Sequence, residues 1–193
     1  MIKIGILGDI GSGKSYISKQ FGYPIFNADA EVAKIYKKNK NCFYKLKKKF
    51  PNYISSFPIK KKNITKAIID DENNLNKIIK IVHPIVRIQM EKFFKKNKKK
   101  RIVILDVPLL IENKLNKNNY ILIFVESKKK EIIKRLKKRR NFNIIVFNKL
   151  RKTQLPLEVK KKKSDYIIKN NFKKKYIKET IRMLKNRILK NVK

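Results

Sequence analysis

The stretch 2–21 constrains the fold of this chain more than any other part of it. A short, β-branched apolar run at 2–7 leads into Gly8-Asp9-Ile10-Gly11-Ser12-Gly13-Lys14-Ser15, and 14–21 then reads as a helix. The order is strand, glycine-rich loop, helix, and the loop fits G-x-x-x-x-G-K-[ST] in the context that gives that pattern meaning. Glycines let consecutive backbone N–H groups turn inward, where with the helix N-terminus they cradle anionic phosphate oxygens. Lys14 then neutralises the β- and γ-phosphates of a bound nucleotide, and the Ser15 hydroxyl is a ligand for Mg²⁺, a hard cation that takes oxygen donors. Such a loop marks a nucleotide user without separating a kinase from a GTPase, ATPase or helicase.

The rest of the chain supplies a sheet for this loop. The segment 24–27 reads as a second short strand, followed by a helix over 30–36 with Val32, Ile35 and Tyr36 at helical spacing. From 37 to 100 no strand is convincing; 64–69, 75–82 and 86–94 repeat apolar positions at helical spacing, which predicts a helical insertion. The near-continuous apolar runs 101–107 and 120–125 are expected as central strands of a parallel sheet covered on both faces. Two helical stretches between 127 and 155 flank the basic segment 137–143, expected to be exposed and movable, so that 137–163 forms a helical lid. A last strand at 166–168 and an amphipathic helix over 173–189, with Ile177, Ile181, Leu184 and Ile188, close the pattern. The fold class expected is α/β: a single P-loop NTPase domain over 1–193, with a five-stranded parallel sheet flanked by helices.

Charge matters because it points elsewhere. A formal net charge of +39 ordinarily suggests nucleic acid, since phosphates draw lysine by releasing counterions. Here the lysines run through almost every segment together with Ile and Asn, which reads as compositional drift rather than a binding patch. The clusters 47–49, 60–62, 98–100 and 160–163 are expected to be solvated faces. Hydrophobic content of 42% fills a core. The single cysteine, Cys42, excludes an internal disulfide framework and is expected to be a small buried residue. No apolar run approaches the roughly 20 residues that span a bilayer. A soluble, cytoplasmic protein, monomeric and without a membrane or specific nucleic-acid partner, is the expectation.

Four further groups follow the loop in order. They are Phe26-Asn27-Ala28-Asp29-Ala30-Glu31-Val32; Ile81-Val82-His83-Pro84-Ile85-Val86-Arg87; Asp106-Val107-Pro108-Leu109-Leu110-Ile111-Glu112; and Gln154-x-Pro156 with Ser164-Asp165-Tyr166-Ile167-Ile168. This order resembles the dephospho-coenzyme A kinase family over nearly the whole chain. The resemblance implies transfer of the ATP γ-phosphoryl to the ribose 3′-hydroxyl of dephospho-coenzyme A. It also implies roles for particular residues. Asp29 accepts the proton of, or orients, the attacking hydroxyl; read by itself, it also suits an N-cap for the helix that follows. Asp106, at the end of a buried strand, holds Mg²⁺ or its water, and Pro108 and Leu109 shape the substrate side. His83 is placed on that side, its alternative being a helix–helix contact, and Arg87, four residues on, shares its helical face. Arg135 and Arg139 match lid arginines that approach the ATP phosphates, with Arg139 the preferred catalytic one. Residues 8–15 with Tyr16 line the nucleotide, Asn170 sits near its adenine, and Lys160 falls on the substrate side.

The chain departs from the family pattern at Asn27, Ala33, Tyr16 and Arg140. The rival of the same architecture is a nucleoside or nucleoside monophosphate kinase, against which the His83-Pro84 insertion argues. The rival from another class is a basic nucleic-acid-binding NTPase, for which no aromatic stacking platform is visible.

Overall fold

In chain order the elements are β1 (Ile2–Gly8), α1 (Lys14–Gln20), β2 (Ile25–Asn27), α2 (Ala28–Lys38), α3 (Lys40–Lys49), α4 (Lys61–Asp70), α5 (Asn74–Lys96), β3 (Ile102–Asp106), β4 (Tyr120–Glu126), α6 (Lys129–Lys137), α7 (Ile144–Lys152), α8 (Leu157–Lys162), β5 (Tyr166–Lys169) and α9 (Lys174–Asn191). The structure, a computed structural model, describes residues 1–71, 73–113, 115, 120–138 and 142–191. They divide into two compact units: Met1–Asn27 with Asn97–Phe142 and Gln154–Lys193, and Ala28–Lys96 with Asn143–Thr153.

The first unit holds the sheet. Its five strands run in the order β2-β3-β1-β4-β5, and every neighbouring pair is parallel. A parallel sheet is covered on both faces, so its strands lose the alternation of a half-solvated one. β3 is buried at each position, and β1 is buried from Ile4 to its end. Ile17 of α1, Phe21 at its C-cap, and Ile177 and Ile181 of α9 pack into the core formed by Ile4, Ile6 and Ile104. The glycine loop therefore leaves the central strand of the sheet, and the parallel arrangement brings the carboxyl ends of β1, β3 and β4 to the same edge.

The second unit is helical. α5 carries a buried stripe of Leu75, Ile78, Val82, Val86, Met90 and Phe94 that continues across Pro84. The segments 75–82 and 86–94, expected as helical from their spacing, lie in this one helix. Proline removes one i→i−4 bond, but Pro84 and Lys80, whose carbonyl would have accepted it, are both exposed, and the buried stripe continues through the helix on either side. α3, not anticipated among its lysines, buries Cys42, Phe43 and Leu46. The Asn39 side chain caps it by accepting from the Cys42 N–H at 2.7 Å. Burial pushes the Cys42 thiol up to about 11.

Candidate active site

Three glycines shape the loop. Gly8, Gly11 and Gly13 have φ of 139°, 89° and 95°, values that only glycine adopts cheaply. The surroundings exclude a side chain as well: a Cβ on Gly8 would lie 2.6 Å from the Val125 carbonyl oxygen, and one on Gly13 2.4 Å from Asn170 Nδ2. Gly13 is the N-cap of α1 and brings no side-chain acceptor, so the first amides of that helix stay open to an anion. Ser12 Oγ is buried with no hydrogen-bond partner among the described residues. A cradle with no room for Cβ atoms, open helix-start amides and an unpaired buried hydroxyl fit a bound polyphosphate. The Lys14 ammonium, 8% exposed, folds over the loop, donating to the carbonyls of Gly8 at 3.1 Å and Asp9 at 2.7 Å. The Asp9 carboxylate accepts from the Ile10 N–H at 2.7 Å and closes the turn.

Beside this loop, Asp106 ends β3 almost fully buried. The β2–β3 register sets Asn27 opposite it, and Asn27 Nδ2 donates to Asp106 Oδ2 at 2.6 Å. The amide thus occupies one carboxylate oxygen without adding a second negative charge. Among the described residues no group of three or more His, Cys, Asp and Glu side chains gathers to hold a metal. One carboxylate and the exposed Ser15 hydroxyl suit a cation that keeps several waters and takes the rest of its ligands from phosphate, as Mg²⁺ does.

The remaining expected positions of this unit fall into two groups. Arg135 is exposed on α6, its guanidinium 4.4 Å from the centre of the Phe172 ring. Asn170 is buried and donates to the Ser12 carbonyl, so its side chain is engaged with the loop. Lys160, expected on a solvated lysine run, is 1% exposed. Its ammonium pairs with Glu112 Oε1 at 2.8 Å and donates to Gln154 Oε1 at 2.8 Å, while the Leu155 N–H also donates to Glu112. A buried ammonium is tolerated only with partners of this kind. Pro108 and Leu109, half-buried, lie in the segment between β3 and Glu112 that this ion pair holds in place.

The second unit carries the other expected residues. α2 begins at Ala28, so exposed Asp29 lies inside the first helical turn rather than at the N-cap. His83, half-buried, and exposed Arg87 sit on successive turns of α5. Arg139 and Arg140 lie outside the described residues.

Several contributors carry no sequence signal strong enough to assign a role. Ser127, directly after β4, donates from its hydroxyl to the Ser12 carbonyl at 2.9 Å. Asp165 locks β5 to β4 by accepting from the Leu122 N–H at 2.7 Å while its own N–H donates to the Leu122 carbonyl. Glu112 and Asp165 stand in motifs quoted above, but motif position does not reveal that their partners lie tens of residues away.

Comparison with known proteins agrees with this geometry. The family described as dephospho-CoA kinase matches residues 2–175. A dephospho-CoA kinase of Wolbachia sp. subsp. Brugia malayi is 31% identical over 179 residues, covering 90% of this chain and 91% of that protein. The Thermus thermophilus protein TT1252, known from a crystal structure, superposes with a TM-score of 0.78 at 26% identity, covering 100% of this chain and 98% of that one. The dephospho-CoA kinase from Campylobacter jejuni shares the fold, with a TM-score of 0.67 at 21% identity over 98% of both chains. A phosphate cup at the end of the central strand, a carboxylate on its neighbour and a family match over residues 2–175 lead to one conclusion: the chain belongs to the dephospho-CoA kinase family.

Proposed function

We propose that this chain transfers the γ-phosphoryl of ATP to the ribose 3′-hydroxyl of dephospho-coenzyme A, giving coenzyme A and ADP. The observation that carries the reading is the anion cup of residues 8–15 on the carboxyl end of β1, within a chain that the family matches over 2–175. Phosphoryl transfer asks the protein mainly for placement and charge stabilisation. Residues 8–15 with Tyr16 hold the polyphosphate, and Lys14, tethered at the rim, supplies positive charge to it. Ser15 and Asp106 would hold Mg²⁺, which when bound neutralises phosphate charge. Arg135, exposed beside the loop, serves the nucleotide with Arg139.

Asp29 opens α2 two residues beyond Asn27, whose amide is bonded to Asp106. Its exposed carboxylate orients the acceptor hydroxyl and takes its proton. His83 and Arg87 meet the anionic groups of the acceptor, and Pro108 and Leu109 line its path. Lys160 serves that side through Glu112, by holding the segment that carries them. The enzyme acts as a cytoplasmic monomer; no described helix is long and apolar enough to cross a membrane.

The test is release of ADP from ATP and Mg²⁺ in the presence of dephospho-coenzyme A, AMP or single-stranded RNA. Turnover is expected with dephospho-coenzyme A alone. Equal turnover of AMP would move the protein to the nucleoside monophosphate kinases, and RNA-stimulated hydrolysis would make it a nucleic-acid-dependent NTPase.

A further inference from the structure

The Ser12 carbonyl accepts two side-chain hydrogen bonds, from Ser127 Oγ at 2.9 Å and Asn170 Nδ2 at 2.7 Å. A carbonyl oxygen has two lone pairs, so the two donors saturate it. The peptide that joins Ser12 to Gly13 is planar and trans, so pinning the oxygen on one side sends the Gly13 N–H to the other. An amide aimed in advance at a phosphate oxygen costs no reorganisation when the anion arrives.

Both donors stand on rigid supports. Ser127 directly follows β4 and Asn170 directly follows β5, and these strands pair through Glu126 and Lys169. The Asn170 N–H donates to the Glu126 carbonyl at 2.7 Å. The Asn170 side chain has one orientation open to it, because its Oδ1 accepts the Phe172 N–H at 2.9 Å, which leaves Nδ2 for Ser12. That turn carries Phe172 into the left-handed region at φ 60°, a conformation of cost about 1 kcal/mol for a bulky residue, and the neighbouring structure must sustain it. Asn170 is 5% exposed and its amide fills the space a Gly13 Cβ would need, so loop and clamp are built to touch.

We propose that Asn170 and Ser127 are positioning residues of the phosphate loop, which set the Ser12–Gly13 peptide so that its N–H points at the nucleotide's phosphates. They act through the loop rather than on the base. The inference rests on the reading that this loop binds ATP, and its own measure is nucleotide affinity, separate from acceptor identity.

The test is calorimetric titration of the full chain with Mg²⁺-ADP, paired with steady-state kinetics, for Asn170→Asp, Asn170→Ala, Ser127→Ala and Ser127→Thr. Asn170→Asp keeps the acceptor for Phe172 and removes the donor to Ser12. It is expected to raise the Kd for ADP and the KM for ATP by about tenfold, the effect of one lost charge-assisted contact, with the KM for dephospho-coenzyme A within twofold of the parent. Ser127→Ala follows in the same direction by a smaller factor, and Ser127→Thr, which retains the hydroxyl, restores parental values. A purely structural role would lower the melting temperature and the active fraction and leave the Kd of the folded fraction unchanged. Parental ADP affinity in folded Asn170→Asp and Ser127→Ala overturns the clamp. Should Asn170→Ala fail to fold, those two variants decide the matter alone. A parent chain that binds no ADP removes the clamp and the ATP reading together, whereas AMP turnover with intact ADP binding removes only the acceptor assignment.

Discussion

Lys14 and Lys160 are two among 53 basic residues, and only their partners distinguish them from the solvated majority. Lys14 leans on two carbonyls of its own loop, a weak tether that an arriving triphosphate can outcompete. Lys160 is enclosed with a carboxylate, an arrangement in which removing one partner strands the other charge in a poor solvent. Asp29 differs from both, since it is exposed in the first turn of α2. A proton acceptor that works by position loses its function when the charge is removed and the shape kept. Asp29→Asn is therefore expected to lower kcat by about 10²-fold while the Kd for ADP stays within about twofold. Unchanged kcat in the purified variant would leave Asp29 as a helix-stabilising residue only.

Elements that announce themselves in a sequence are those whose period is set by their own burial. β1, β3 and β4 are enclosed on both faces and read as continuous apolar runs, and α9 shows its stripe through Ile177, Ile181 and Ile188. α3 escaped notice because six polar residues and the exposed Tyr44 dilute its three buried ones, and its start depends on one amide, Asn39. The apolar segments 75–82 and 86–94 showed their helical period on either side of Pro84, and the stripe of α5 joins them into one helix. Within the site, the loop was legible because its chemistry is contiguous. The Asn170–Ser12 bond spans 158 residues and the Ser127–Ser12 bond 115, and no spacing rule reaches across a sheet. If the cap is what starts α3, Asn39→Ala destabilises the protein by about 1 kcal/mol, lowering the melting temperature by about 2–4 °C. A melting temperature equal to the parent's would show that burial of Cys42, Phe43 and Leu46 suffices.

A surface of 12613 Å² carrying a net charge of +39 gives the protein a field that any multiply charged anion feels before contact. Both proposed substrates are polyanions, so the same field acts on the encounter with each, whether or not the lysines arose by compositional drift. Salt separates this long-range attraction from the short contacts of the cup. The screening length shrinks from about 10 Å at 0.1 M to about 3 Å at 1 M, whereas hydrogen bonds inside a closed loop change little. Steering governs how fast substrate arrives and leaves the chemical step alone. Raising NaCl from about 0.05 to 0.3 M at fixed Mg²⁺ is therefore expected to lower kcat/KM for ATP at least about threefold with kcat unchanged. A flat kcat/KM across that range would mean the excess lysine contributes nothing to capture, and a parallel fall in kcat would place the screened charges at the reacting phosphates instead.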